Sequence, residues 1–237
     1  MEFDAIILAG GRSSRLGGVP KSGLIYDGAT LLERSLRAAG TAACIVVVGP
    51  DPGDLPEGVL TCREDPPFAG PAAAIAAGLA ALAAHQAGGD QAAAPSPFTL
   101  VLACDMPRSA EAVRALAAAL GEPLAASAAV APERAPGRAP EREGGDGVMA
   151  VSADGRKQPL AGFYGTAVLQ RCVADAAGRG GLENASVFAL LARLDVREVR
   201  VPPGSTDDVD TWDDASALGV SGRIPDHGPG PGPELRS

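Results

Sequence analysis

A pair of adjacent glycines and two arginines crowd one stretch of the chain, Leu8-Ala9-Gly10-Gly11-Arg12-Ser13-Ser14-Arg15-Leu16-Gly17, which is closed by a third cation, Lys21. That set of residues suits anion binding. Gly10 and Gly11 let the backbone turn with φ values other residues avoid and bring N–H groups close to a charged oxygen. Arg12, Arg15 and Lys21 supply formal charge. A Walker A loop sets Gly, Lys and Ser/Thr side by side, whereas Lys21 follows Pro20 and stands well past the glycines. A dinucleotide fingerprint runs Gly-x-Gly-x-x-Gly into a helix, and Gly10-Gly11-Arg12 departs from it at the first step. The other chemically telling residue is Asp105, a lone carboxylate just beyond the apolar run Thr99-Leu100-Val101-Leu102-Ala103. Burying it there is costly without a cation. Magnesium, a hard cation bound through one or two carboxylates plus substrate phosphates, compensates it naturally. Read alone, the same aspartate serves equally well as a turn cap before Pro107.

Such residues need a scaffold, and the chain alternates strand and helix patterns. Phe3 to Leu8 reads as a strand covered on both faces. Thr30 caps a helix through Leu31, Leu32 and Leu36 to near Gly40, and Cys44 to Val48 and Val59 to Cys62 are strands. Pro71 opens an alanine-rich helix, residues 86 to 97 read as an exposed connector, and Thr99 to Ala103 is a strand. Ser109 caps the next helix, and 125 to 131 reads as another strand. Beyond it come strands at 148 to 151, 160 to 164 and 196 to 201, with Arg156 to Pro159 in a hairpin turn. Helices are expected at 166 to 177 and 185 to 193, with a short last one introduced by the acidic run Asp207 to Asp214. Alternation of this kind favours a mostly parallel sheet between two helical layers. Ligands bind such sheets at the carboxyl ends of the strands. Lys21, Asp65, Asp105 and Asp210 each follow a strand.

With 237 residues the chain holds one domain, read as 1–219. Residues 132–147, full of Pro, Gly, Arg and Glu, are expected to form a disordered insertion, and 220–237 a disordered tail. A net charge of -9 disfavours nucleic acid and anionic membranes as partners. No run is long enough to span a bilayer and no signal peptide is evident, so a cytoplasmic location is expected. Cys44, Cys62, Cys104 and Cys172 form no Cys-x-x-Cys pair and read as reduced structural thiols. With only His85 and His227, histidine catalysis and zinc are disfavoured.

The Leu8 to Gly17 loop with its following lysine resembles the signature loop of nucleotidyltransferases, most closely the molybdenum cofactor guanylyltransferases, although Pro20 stands where that family commonly has Asp. Leu100-Val101-Leu102-Ala103-Cys104-Asp105-Met106-Pro107 is similar to their metal-binding strand end, where Cys-Asp-x-Pro recurs and related cytidylyltransferases show Gly-Asp-x-Pro. Asp208-Val209-Asp210-Thr211 resembles a late acidic segment of the superfamily, with Trp212 in place of a proline. Glu64-Asp65 with Gly70-Pro71, and Gln158-Pro159-Leu160 beside Arg156 and Lys157, resemble segments on the nucleotide and acceptor sides.

The resemblance implies a Rossmann-like, three-layer α/β/α fold of the nucleotide-diphospho-sugar transferase type. It also implies transfer of GMP from GTP to a molybdopterin-type acceptor with Mg²⁺. Leu8, Ala9, Gly10, Gly11, Arg12, Ser13, Lys21, Gly49, Asp65, Gly70 and Asp105 would meet the nucleotide, with Gly49 and Asp65 by the base. Arg15 and Lys21 would stabilise migrating charge, and Asp105 with Asp210 would hold the metal. Transient contact with proteins that deliver or receive the cofactor is implied as well. A molybdopterin cytidylyltransferase, a sugar-phosphate nucleotidyltransferase and a catalytically silent nucleotide-binding regulator remain open.

Overall fold

Every residue of strand β1 (Phe3–Leu8) is buried, and extended chain sends successive side chains to opposite faces. Phe3, Ala5 and Ile7 therefore enter one core, and Ile6 and Leu8 enter another. A strand with two buried faces needs a helical layer on each side, and the computed structural model has both. It describes residues 1–88, 94–121 and 145–222. Helices α1 (Leu31–Ala38) and α3 (Ser109–Gly121) cover the Ala5 and Ile7 face, and α2 (Pro71–Gly88), α4 (Thr166–Gly178) and α5 (Val187–Leu191) cover the other.

Across the sheet the strands run β5 (Val59–Cys62), β4 (Ile45–Val48), β1, β6 (Phe98–Ala103), β8 (Lys157–Gly165), β7 (Gly147–Val151) and β9 (Val196–Arg200). All neighbours are parallel except β8, which is antiparallel to both β6 and β7. The chain leaves β1 toward β4 and β5 and then crosses back to β6 on the other side, so strand order reverses between β1 and β6. In register, Leu8 pairs with Ala103, and the Cys104 N–H donates to the Leu8 carbonyl at 3.0 Å. The glycine loop and Asp105 thus leave the sheet side by side at the reversal point, where doubly wound sheets place ligands. Among the described residues no helix is long and apolar enough to cross a membrane.

Several expectations change. The connector at 86–97 is shorter, because α2 continues to Gly88 and Ser96 is buried, its N–H donating to Asp4 Oδ2 beside Gln86. Ser109 does not cap α3: it is the first residue of the helix, and its buried hydroxyl has no hydrogen-bond partner. Arg156 alone stays in the turn, since β8 already begins at Lys157. The insertion ends before 147. Asp146 bonds the Asp195 carbonyl through its own N–H, and Gly147 opens β7, where a Cβ would lie 2.2 Å from the Phe163 carbonyl oxygen.

The tail likewise starts later, because Val220 is buried and Ser221 bridges to Ile25. The expected strand at 125–131, the insertion up to 144 and the tail from 223 lie outside the described residues. A small antiparallel pair, β2 (Ile25–Tyr26) with β3 (Ala29–Thr30), turns at Asp27-Gly28, both with positive φ. The Asp-Gly hairpin signal was present in the sequence. The last helix, α6 (Trp212–Leu218), begins inside the acidic run Asp207 to Asp214 expected to introduce it, with Thr211 as its cap.

Candidate active site

A third, small core explains how the catalytic candidates are placed. Leu16, Leu24 and Leu31 pack there with Val209, Ala215 and Val220, clamping the loop after β1 to the segment before α6. Within that loop Ser13 adopts a left-handed conformation (φ 43°) and starts a tight turn over Ser14–Leu16, which Gly17 closes at φ 68°. Lys21 opens a second such turn, and the Leu24 N–H donates to the Lys21 carbonyl at 3.0 Å. Lys21 is therefore held between two buried leucines. At the loop's base the Ala9 N–H donates to the Val48 carbonyl at 2.8 Å. Gly49 follows, with φ 154°; a Cβ there would stand 2.8 Å from Ala9 C and Gly10 N. Gly49 thus serves the close crossing of two backbones. Gly11, at φ 147°, has open space beside it.

The Lys21 ammonium donates to Asp105 Oδ2 at 2.9 Å and to Asp210 Oδ1. Burial alone would lower the Lys21 pKa, but the charge of Asp105 and hydrogen bonds to Asp210 and Asp105 outweigh it and hold the group above its ordinary value. Backbone contacts fix the aspartates: the Val209 N–H donates to the Asp105 carbonyl at 3.1 Å, and a Thr211/Asp214 capping box sets the start of α6 just past Asp210. Arg15 reaches Asp210 at 3.6 Å from a largely exposed position.

Asp208 completes an acidic trio, with one carboxylate oxygen from each of Asp105, Asp208 and Asp210 within 4.8 Å of the others. The Asp208 carboxyl is pushed to a higher pKa by burial, then by the charges of Asp105 and Asp210. Three converging carboxylate oxygens suit a hard divalent cation. Lys21 is the cation that stands between two of them.

Beside this cluster a cavity of about 320 Å³ is lined by Lys21, Asp105, Arg12, Glu64, Phe68, Gly70, Pro71 and Ala74, together with Leu8, Gly10 and Gly11. Of the residues expected at a nucleotide, Leu8, Gly10, Gly11, Arg12, Lys21, Gly70 and Asp105 line it. Ala9, Ser13 and Gly49 shape the loop instead, and Arg15 and Asp210 stand at the Lys21 cluster.

Asp65, expected by the base, is exposed and does not line this cavity, whereas its neighbour Glu64, only 6% exposed, does. Adjacent residues of extended chain point opposite ways. Glu64 Oε1 accepts the Phe68 N–H at 3.0 Å, while Oε2 is buried without a partner. An unsatisfied buried acceptor costs about 1–3 kcal/mol. Phe68 itself has φ 65°, and the Arg12 and Arg63 guanidiniums lie 5.6 and 5.0 Å from its ring centre.

On the expected acceptor side, Leu160 lines the cavity, while Lys157 pairs with Glu198 at 2.6 Å and Arg156 is exposed. The Cys104 thiol is buried and its pKa is driven up by that burial, so it is an inert wall. A second cavity of about 430 Å³ opens at the opposite end of the strands beside Asp4 and Cys44, away from all these residues.

The MobA-like NTP transferase domain matches residues 5–196. No curated protein matches the sequence. Among solved structures, molybdopterin-guanine dinucleotide biosynthesis protein A from Archaeoglobus fulgidus is 18% identical with a TM-score of 0.54, over 91% of this chain and 96% of that one. Rv0371c from Mycobacterium tuberculosis H37Rv is 21% identical with a TM-score of 0.59, over 91% and 96%. The 2-C-methyl-D-erythritol 4-phosphate cytidylyltransferase from Thermus thermophilus is 20% identical with a TM-score of 0.57, over 92% and 97%. At these identities the likeness speaks for the fold.

Proposed function

The chain belongs to the MobA-like NTP transferase family, and on that footing we propose that it transfers GMP from GTP to a molybdopterin-type acceptor with release of pyrophosphate. The acceptor's terminal phosphate oxygen attacks the α-phosphorus, the bond to the β-phosphate oxygen breaks, and pyrophosphate carries away the electron pair. Little covalent help is needed from the protein; the work is positioning and neutralisation of shifting charge. Gly10 and Gly11 offer backbone N–H groups to phosphate. Lys21 and Arg15 meet the charge that builds on the leaving group. Asp105, Asp208 and Asp210 suit Mg²⁺, which when bound neutralises and orients phosphate oxygens. Contact with proteins that deliver or take up the cofactor belongs to the same reading.

The observation that carries the proposal is the Lys21 ammonium between Asp105 and Asp210, lining the same cavity as Gly10 and Gly11. A regulator that merely binds nucleotide has little need of a paired lysine and acidic trio. The sugar-phosphate nucleotidyltransferase reading draws support from the equally good fold match to the Thermus thermophilus enzyme. The test is incubation with Mg²⁺, molybdopterin and either GTP or CTP, scored by pyrophosphate release and product mass. A guanine dinucleotide product supports the proposal, a cytosine product moves the chain to the molybdopterin cytidylyltransferases, and no product from either overturns it.

A further inference from the structure

We propose that Arg34 is a positioning residue for Asp105, fixing the strand end from which this carboxylate joins the acidic trio and so setting the trio's affinity for a divalent cation. The inference rests on the nucleotidyltransferase reading and deepens it. Asp105 leaves β6 in a short turn whose backbone is tied at three points. The Cys104 N–H donates to the Leu8 carbonyl at 3.0 Å, the Val209 N–H to the Asp105 carbonyl at 3.1 Å, and the Arg34 Nε–H to the Pro107 carbonyl at 2.7 Å. The first two join backbone to backbone. Arg34 supplies the third from a side chain on helix α1.

The start of α3 leaves the Pro107 carbonyl to Arg34. The Ser109 N–H donates to the Met106 carbonyl and the Glu111 N–H to the Arg108 carbonyl, so neither serves Pro107. Between Asp105 and Pro107, Met106 is buried in the core that α1 and α3 cover. Methionine is adaptable and fixes a backbone loosely by packing. A charge-assisted hydrogen bond is short and directional, and it holds the turn where packing alone would let it shift.

Arg34 is itself oriented before it meets Pro107. The capping box of Thr30 and Glu33 sets the start of α1. Positions three apart on a helix are neighbours, so Arg34 shares the side of Leu31, a member of the small core that clamps the Lys21 loop. Its guanidinium lies 4.6 Å from the centre of the Tyr26 ring, reaches the Tyr26 carbonyl at 3.5 Å and stands 3.9 Å from Asp27. A planar guanidinium can stack on a ring and donate from its edge at once, which an ammonium cannot. Arg34 is not among the residues lining the cavity. It acts through Asp105 and does not touch substrate.

Groups that hold a metal ligand from behind govern metal affinity by roughly tenfold to a hundredfold. The test measures Mn²⁺ dissociation constants of the full chain by calorimetry without nucleotide, together with thermal midpoints, for the native protein, Arg34→Met, Arg34→Lys and Asp27→Asn. Arg34→Met should weaken Mn²⁺ binding by about tenfold. Arg34→Lys should weaken it nearly as much, because lysine keeps the charge and loses the planar fork; it also decides the matter should Arg34→Met fold poorly. Asp27→Asn should leave Mn²⁺ affinity unchanged, since Asp27 is exposed and such ion pairs contribute little.

A merely structural role would lower the midpoint of Arg34→Met and leave its Mn²⁺ affinity at the native value, and that result overturns the proposal. Native affinity in Arg34→Lys, or a loss in Asp27→Asn equal to that in Arg34→Met, would assign the effect to charge and overturn it as well. Pyrophosphate release by the native chain, with Mn²⁺ affinity insensitive to Arg34, would sink this inference alone. A native chain that binds no Mn²⁺ also overturns the inference, and one that in addition releases no pyrophosphate from GTP or CTP sinks the nucleotidyltransferase reading beneath it.

Discussion

Lys21 and Asp105 lie 84 residues apart in sequence, yet the ammonium of one and the carboxylate of the other meet at 2.9 Å. The contact joins the loop after β1 to the end of β6, the two strands between which the sheet reverses its order. Asp210 closes the group from a third segment, and the small core of Leu16, Leu24 and Val209 holds that segment against the loop. With the lysine in place, the acidic trio carries its own counter-ion.

Replacing Lys21 by Ala should therefore have two effects. Turnover should fall by roughly two to three orders of magnitude, as for loss of one preorganised charge stabiliser. The thermal midpoint should also fall, by an equivalent of about 1–2 kcal/mol, because Asp105, Asp208 and Asp210 are left together with only the largely exposed Arg15 beside them. Mg²⁺ should restore the variant's midpoint more than it raises that of the native protein. Thermal scans with and without Mg²⁺ check this. Because the Lys21 pKa is raised, its stabilisation is fully present below the ordinary value of 10.5 and is lost only as pH rises through the folded value. The penalty should thus persist throughout the neutral range.

Asp208→Asn should act in the opposite direction on the ligand-free protein. A carboxyl with a raised folded pKa destabilises the fold once ionised, so the amide should raise the midpoint at pH 7, by a few tenths to about 1 kcal/mol. The gain should vanish when pH is brought below the unfolded value of 3.8, where both states hold the proton. Calorimetric Mn²⁺ binding should weaken in the same variant. A midpoint unchanged at pH 7 would show that Asp208 does not crowd its neighbours.

Asp105→Asn should abolish Mg²⁺-dependent turnover, since a neutral amide is a much poorer ligand for a hard cation. It also removes one of the two carboxylates from Lys21, so the midpoint should drop modestly. Near-native activity at ordinary Mg²⁺ would refute the ligand role.

Gly49→Ala should disturb the loop from below. Its Cβ would overlap Ala9 and Gly10 backbone at 2.8 Å, at a φ that L side chains rarely adopt. Overpacking of this kind costs about 1–3 kcal/mol, and the displaced Gly10 should weaken nucleotide binding as well. Thermal scans together with GTP titration read out both consequences.

Much of this was legible because its signals are local. The loop from Leu8 to Lys21 and the strand end at Asp105 are contiguous in sequence, and Thr30 with Glu33 forms a capping box at the start of α1. Other features depend on the phase of the chain or on distant partners. Which of Glu64 and Asp65 turns inward depends on how the chain leaves β5 and on the Phe68 N–H that receives Glu64. A loop lysine reads as solvated in sequence, and its burial by Asp105 and Asp210 needs the fold. The antiparallel insertion of β8 between β6 and β7 is likewise a long-range pairing that no periodicity encodes. Val220 and Ser221 look like tail residues until Leu24 and Ile25 provide the surface they cover.

The central claim is group transfer from a nucleoside triphosphate at the Lys21 cluster. Its most direct test is pyrophosphate release by the full chain with GTP, Mg²⁺ and molybdopterin, run beside Lys21→Ala. The native protein should give stoichiometric pyrophosphate and guanine dinucleotide product, and the variant a rate lower by roughly two to three orders of magnitude. Equal rates in the two proteins, or no pyrophosphate from the native one with either GTP or CTP, would contradict it.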